Sequence, residues 1–209
     1  MARAIDDLVC EKIKRRLSPR DGMLELIEEC SQLQPSSLWE KLASLKYEAD
    51  VKRLSSWLTR LLGSKPPKPR VTQLWFGLYH PWTDDNRLSS DLYVEGRAVE
   101  EQRKGLWARV TGSFYWPPGR YAGCKIVNQI SRSYTKAVRR EVNGVRDYEL
   151  NQCYVSLFLQ DFATENPGIL CGDSEFRSLF TQYESSVARL GMVTKSEFQP
   201  ELTWNYWNF

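Results

Sequence analysis

His80 is the one histidine in this sequence, and it is the side chain whose ordinary pKa best suits proton transfer near neutrality. It follows the strand-like run 71–79 and precedes Pro81 and Trp82, with Asp84 and Asp85 close enough in sequence to orient an imidazole. A serine or cysteine nucleophile relying on histidine would have to use it. No GxSxG elbow or cysteine-protease context accompanies it, so a turn histidine is the expected reading and a small hydrolase using His80 the alternative. The tight acidic cluster Asp84, Asp85, Asn86 and Asp91 lacks the alternating ligand spacing of an EF-hand and fits turn chemistry better. Glu95, Glu100 and Glu101 offer carboxylates without any sign of a pocket around them. Five cysteines, Cys10, Cys30, Cys124, Cys153 and Cys171, form no CxxC pair and are odd in number, so reduced core residues are expected rather than zinc ligands or a disulfide framework. Gly112, Gly119 and Gly123 match neither a dinucleotide fingerprint nor a P-loop. No metal and no cofactor is expected.

Recognition is the chemistry that this composition supports best. Eight tryptophans, ten tyrosines and eight phenylalanines supply core and contact surface. The run Trp116-Pro117-Pro118-Gly119-Arg120-Tyr121 sets an arginine beside two aromatics, where a guanidinium can stack or pair with an anion. Its competing reading is a tight turn whose rings merely pack. Loops on a rigid scaffold commonly carry binding, and Trp, Tyr and Arg are enriched among hot spots. The candidate partner-binding residues are therefore Trp82 and Arg87 in the His80–Asp91 segment, and Trp116, Arg120 and Tyr121 in the second loop.

The elements that must position these loops follow from periodicity. Ile5, Leu8, Val9, Ile13 and Leu17 predict one helix, and Met23, Leu26, Ile27, Cys30 and Leu33 a second, with Pro19, Asp21 and Gly22 interrupting between them. Ser37 and Glu40 have capping-box spacing, which predicts a third helix running to Leu62; its stripe changes phase midway, implying a break or two successive contact surfaces. Gly63 is its expected stop, and Lys65-Pro-Pro-Lys-Pro-Arg70 a stiff connector. Residues 71–79 alternate as a strand, with Leu74, Phe76 and Leu78 on one face and Trp75 and Tyr79 on the other. Residues 91–95, 106–110 and 113–116 complete a predicted antiparallel meander. Helices are predicted over 121–138 and, by length, over 148–162; loops over 166–168 and 172–173; and a final helix on Phe176, Phe180, Tyr183, Val187 and Leu190, stopped by Gly191. The aromatic tail runs from Thr203 to Phe209.

The expected fold class is α+β, with N-terminal helices, a central antiparallel sheet and C-terminal helices packed on it. The expected organisation is a helical segment over 1–64, a connector over 65–70 and an α+β domain over 71–209, which together can form one compact unit. A hydrophobic fraction of 42% and a charged fraction of 26% suit a folded domain. Net charge is +3 with both signs interspersed, which does not favour nucleic acid. Neither a signal peptide nor a membrane-spanning run is evident, so the cytoplasm is the expected location and no membrane the expected partner.

The segment 57–121, with WLTRLL, the proline-rich stretch, LWFGLY, DLYVEGR and PPGRY, resembles small soluble bacterial proteins of uncharacterised or immunity-like role, the latter encoded beside toxins. The immunity-like branch of that resemblance implies a protein-binding module that occludes a toxin enzyme. The mildly basic charge departs from the strongly acidic inhibitors of basic nucleases, which argues against a nuclease as target. Besides the hydrolase, the alternative is a nucleic-acid binder using basic helices and exposed aromatics.

Overall fold

The computed structural model describes residues 2–79, 90–98, 115–138, 147–183 and 186–206. The fold is α+β, with seven described helices and a six-stranded, mostly antiparallel sheet. Packing divides the chain into two compact units: residues 1–54, 79–91 and 123–161 form the first, and residues 55–78, 92–122 and 162–209 the second.

The first unit is helical. It contains α1 (Ala2–Arg15), α2 (Pro19–Leu33), α3 (Ser37–Ala43), the first part of α4 (Tyr47–Ser64), α5 (Lys125–Val138) and most of α6 (Asp147–Glu165). Pro19 does not interrupt a helix but opens one. With no N–H to satisfy and φ already suited to a helix, it stands at the first position of α2 behind the cap Ser18, whose Oγ accepts from Asp21 N at 3.1 Å. The cap of α3 is Ser36, accepting from Leu38 N at 3.1 Å, one residue before the predicted Ser37. The predicted third helix breaks at residues 44–46 into α3 and α4, which accounts for the change of stripe. Ile5, Val9 and Ile13 of α1, Leu26 and Cys30 of α2, and Leu42 of α3 are buried. Residues 149–160 of α6 are buried on every side, which is why that segment showed no helical period.

The second unit holds the sheet, in the order β3 (Tyr121–Gly123), β2 (Asp91–Arg97), β1 (Gln73–Tyr79), β4 (Phe176–Tyr183), β5 (Ser186–Thr194), β6 (Phe198–Tyr206). Thr72 N–H donates to Arg97 O, so the start of β1 meets the end of β2, as in a hairpin. The sheet departs from a pure meander at its centre, where β1 and β4 run parallel, with Trp75 beside Phe180. Phe176–Tyr183 and Ser186–Thr194 are two antiparallel strands, where the sequence predicted a helix. Tyr121–Gly123 is likewise a strand, so the helix predicted over 121–138 begins only at Lys125. A short helix, α7 (Pro167–Cys171), replaces part of the predicted loop and packs on β4 and β5.

Connector residues 65–70 have no regular structure of their own, yet their carbonyls are taken. Tyr115 Oη donates to Lys65 O at 2.5 Å, and Ser174 Oγ to Pro69 O at 2.7 Å. Arg177, fully buried in β4, donates to Pro67 O at 3.0 Å, to Lys68 O at 3.4 Å and to Cys171 O at 2.9 Å. Prolines bring no N–H of their own, so donors from elsewhere meet these carbonyls: the three side chains and the Val71 N–H, which donates to Lys68 O at 2.9 Å.

Candidate functional site

Residues 115–121 build the most developed surface feature among the described residues. Both ends of the loop are tied to β2: Tyr115 exchanges two backbone hydrogen bonds with Gly96 at 2.9 and 3.0 Å, and Val94 N–H donates to Arg120 O at 3.2 Å. Between them Pro117-Pro118-Gly119-Arg120 makes a type II turn, with Arg120 N–H donating to Pro117 O at 3.1 Å and Gly119 at φ +83°. Proline at the second position and glycine at the third suit that geometry without strain. Residues of α4 and the connector hold the turn from beneath, since Trp57 Nε1 donates to Gly119 O at 3.0 Å and Lys65 Nζ to Pro118 O at 3.0 Å.

This anchored backbone presents two exposed rings and a guanidinium. Trp116 is 57% exposed and Tyr121 45%. The Arg120 guanidinium lies 5.2 Å from the Trp116 ring centroid and 5.0 Å from that of Tyr121, and donates to Tyr121 Oη at 3.1 Å. Stacking on ring faces restrains the arginine while leaving it charged. Among the described residues Arg120 has no carboxylate partner, whereas Arg15, Arg20, Arg53, Arg97 and Arg189 all pair with Glu or Asp. The surface continues on the sheet. Tyr93 meets Tyr121 at 5.8 Å, and Trp75 stacks on Phe180 at 4.5 Å with Arg97 at 4.1 Å over its ring.

Asp50 has neighbours that resemble catalytic machinery more than they act like it. Its carboxylate accepts from Lys125 N (3.3 Å), Ile126 N (3.2 Å), Tyr154 Oη (3.3 Å), Cys124 Sγ (3.5 Å) and Arg53 Nη2 (2.7 Å). It therefore caps α5 from a distant part of the chain, where the helix N-terminus favours negative charge. Burial and the Asp50 charge push the Cys124 thiol well above its ordinary range, and burial, then Cys124 and Asp50, raise Tyr154. The thiol and phenol are thereby held in their protonated forms, as donors to a carboxylate whose five hydrogen bonds fix the start of α5. Lys12, fully buried, is likewise matched: burial opposes its charge, but hydrogen bonds to Glu29 at 2.5 Å and Glu11 at 3.3 Å outweigh this and raise its pKa.

Of the sequence-derived candidates, Trp116, Arg120 and Tyr121 come together at one exposed site. Trp82, Arg87 and His80 lie outside the described residues. Tyr93, Trp75, Phe180 and the supports Trp57 and Lys65 were missed; alternation along β2 placed Tyr93 on a sheet face, but its meeting with Tyr121 depends on strand pairing. Among the described residues no group of three or more His, Cys, Asp or Glu is placed to hold a metal ion, and no helix is long and apolar enough to cross a membrane. No protein-family model, curated protein or solved structure matches this chain.

Proposed function

We infer that this chain is a protein-binding module whose contact surface is Trp116, Arg120 and Tyr121. The observation that carries this reading is a charged guanidinium held between two exposed rings on a turn pinned by hydrogen bonds at both ends and from below. A rigid, solvent-facing aromatic–arginine set is the composition of an interface hot spot, and its ordering cost is met before a partner arrives. Arg120 would take a carboxylate of the partner. The resemblance to immunity-like proteins would make that partner a toxin enzyme, occluded by the loop. Protein is favoured over nucleic acid because the net charge is only +3, with acidic and basic residues interspersed rather than gathered in a basic stripe.

Affinity capture with the intact chain and with Trp116→Ala/Arg120→Ala tests this, followed by titration of purified components. Each single truncation is expected to weaken binding by about 2 kcal/mol or more, with an unchanged melting temperature. Full affinity in both variants, or a loss that merely tracks unfolding, would sink the reading, as would binding of single-stranded oligonucleotides abolished by the same changes.

A further inference from the structure

We propose that the groove between α2 and α3 docks a cationic amphipathic helix of a partner protein, at a site separate from the Trp116 surface. The groove, of about 750 Å³, is entirely within the helical unit. Leu24, Ile27, Glu28 and Ser31 line it from α2 at spacings of i, i+3, i+4 and i+7, so they share one helix face. Trp39, Glu40 and Ala43 line it from α3. Half-buried Leu24 and exposed Pro35 and Ala43 give the groove its accessible apolar floor, above the buried Ile27 and Trp39, while Glu28 and Glu40 are exposed at the lip.

Charge decides what fits. Glu25 and Glu29 on the same helix are neutralised, Glu25 by Arg15 at 2.5 Å and Lys12 at 3.5 Å, Glu29 by Lys12 at 2.5 Å. Glu28 and Glu40 have no ion-pair partner among the described residues, so the groove keeps two carboxylates beside its apolar floor. A ligand with an apolar stripe flanked by Lys or Arg complements both features. A peptide suits the shape better than a small molecule does, because half the lining residues are themselves exposed and would leave a small ligand largely uncovered.

A displayed library of helical peptides of about 16 residues, with a fixed apolar stripe and randomised flanks, is selected on the whole chain. Selected peptides are expected to carry Lys or Arg beside the stripe. Their synthetic forms should lose at least about tenfold in affinity for Glu28→Gln/Glu40→Gln, and bind Ala43→Trp, which fills the groove, more weakly still. Circular dichroism establishes that each variant is folded, and Ser31→Trp fills the groove from the other wall should Ala43→Trp unfold. Failure to enrich any peptide, enrichment of acidic or neutral flanks, binding that survives groove filling, or equally tight binding of spermidine would overturn the proposal. None of these variants touches Trp116, Arg120 or Tyr121, so failure here leaves the first surface standing.

Discussion

Asp50 illustrates how a residue can have the neighbours of a catalytic group and none of its freedom. Five donors converge on it, and removing the carboxylate would strand buried N–H and O–H groups near the start of α5. Asp50→Ala is therefore expected to cost about 3–5 kcal/mol, and Asp50→Asn, which keeps some acceptor capacity, less; urea unfolding midpoints measure both. A cost under about 1 kcal/mol for Asp50→Ala would mean the hub is not structural. The thiols make a second prediction at this scale. Cys30, Cys124, Cys153 and Cys171 are buried and only Cys10 is partly exposed, while burial pushes Cys30 up to about 12. Ellman's reagent at about pH 8 is expected to titrate no more than one thiol in the native protein and all five after denaturation. Rapid native reaction of two or more would contradict the packing.

At the scale of elements, two glycines with positive φ separate conformational from steric demand. Gly119, at φ +83°, has open space where a Cβ would point; Gly191, at φ +147°, lies at the register shift between β5 and β6, where a Cβ would overlap Gln199 O and approach Pro200 Cα to 2.8 Å. Gly119→Ala is expected to cost about 1–2 kcal/mol. Gly191→Ala adds backbone overlap to strain and should cost about 3 kcal/mol or more. Thermal unfolding of the two variants decides it, and equal costs would refute the assignment. The hairpin around Gly191 was also the element least legible beforehand. Its first strand buries Arg177, Leu179, Thr181 and Tyr183 and leaves Phe176 and Phe180 half-exposed, so polarity runs against burial and imitates a helical stripe. Tyr183 pairs with Ser186 across Glu184-Ser185, which carries no Asn-Gly type signal for a hairpin.

For the whole molecule, burial of acids with high ordinary pKa values predicts loss of stability in alkali. Tyr115 rises from 10.0 to about 12 and Cys30 from 9.0 to about 12, chiefly by desolvation, and burial raises Tyr47 and Tyr154 as well. Each of these groups gives up its proton in the unfolded chain before it does so in the folded one, so stability falls as pH climbs above about 9 and continues to fall toward about 12. Lys12, with its raised pKa, acts in the same direction, since the stability of its charged form is lost as pH passes its folded value. The melting temperature should be insensitive to these groups below about pH 9 and decline above it, and Tyr115→Phe should flatten the decline. An unchanged melting temperature up to about pH 11 would contradict the burial of these side chains. What the sequence determined by itself was whatever acts within a few residues: the amphipathic stripes of α1 and α2, the change of stripe between α3 and α4, the alternation of β1 and β2, and the Pro-Pro-Gly-Arg turn. Periodicity and turn chemistry depend only on near neighbours in the chain, so they could be read from it. Only the tertiary structure decided that Asp50 caps a helix some 75 residues away, that Arg177 supplies donors to the connector, that β1 runs parallel to β4, and that Tyr93 meets Tyr121. These are partnerships between distant segments, set by which buried groups must find a hydrogen bond and which faces must be covered, and no local pattern encodes them.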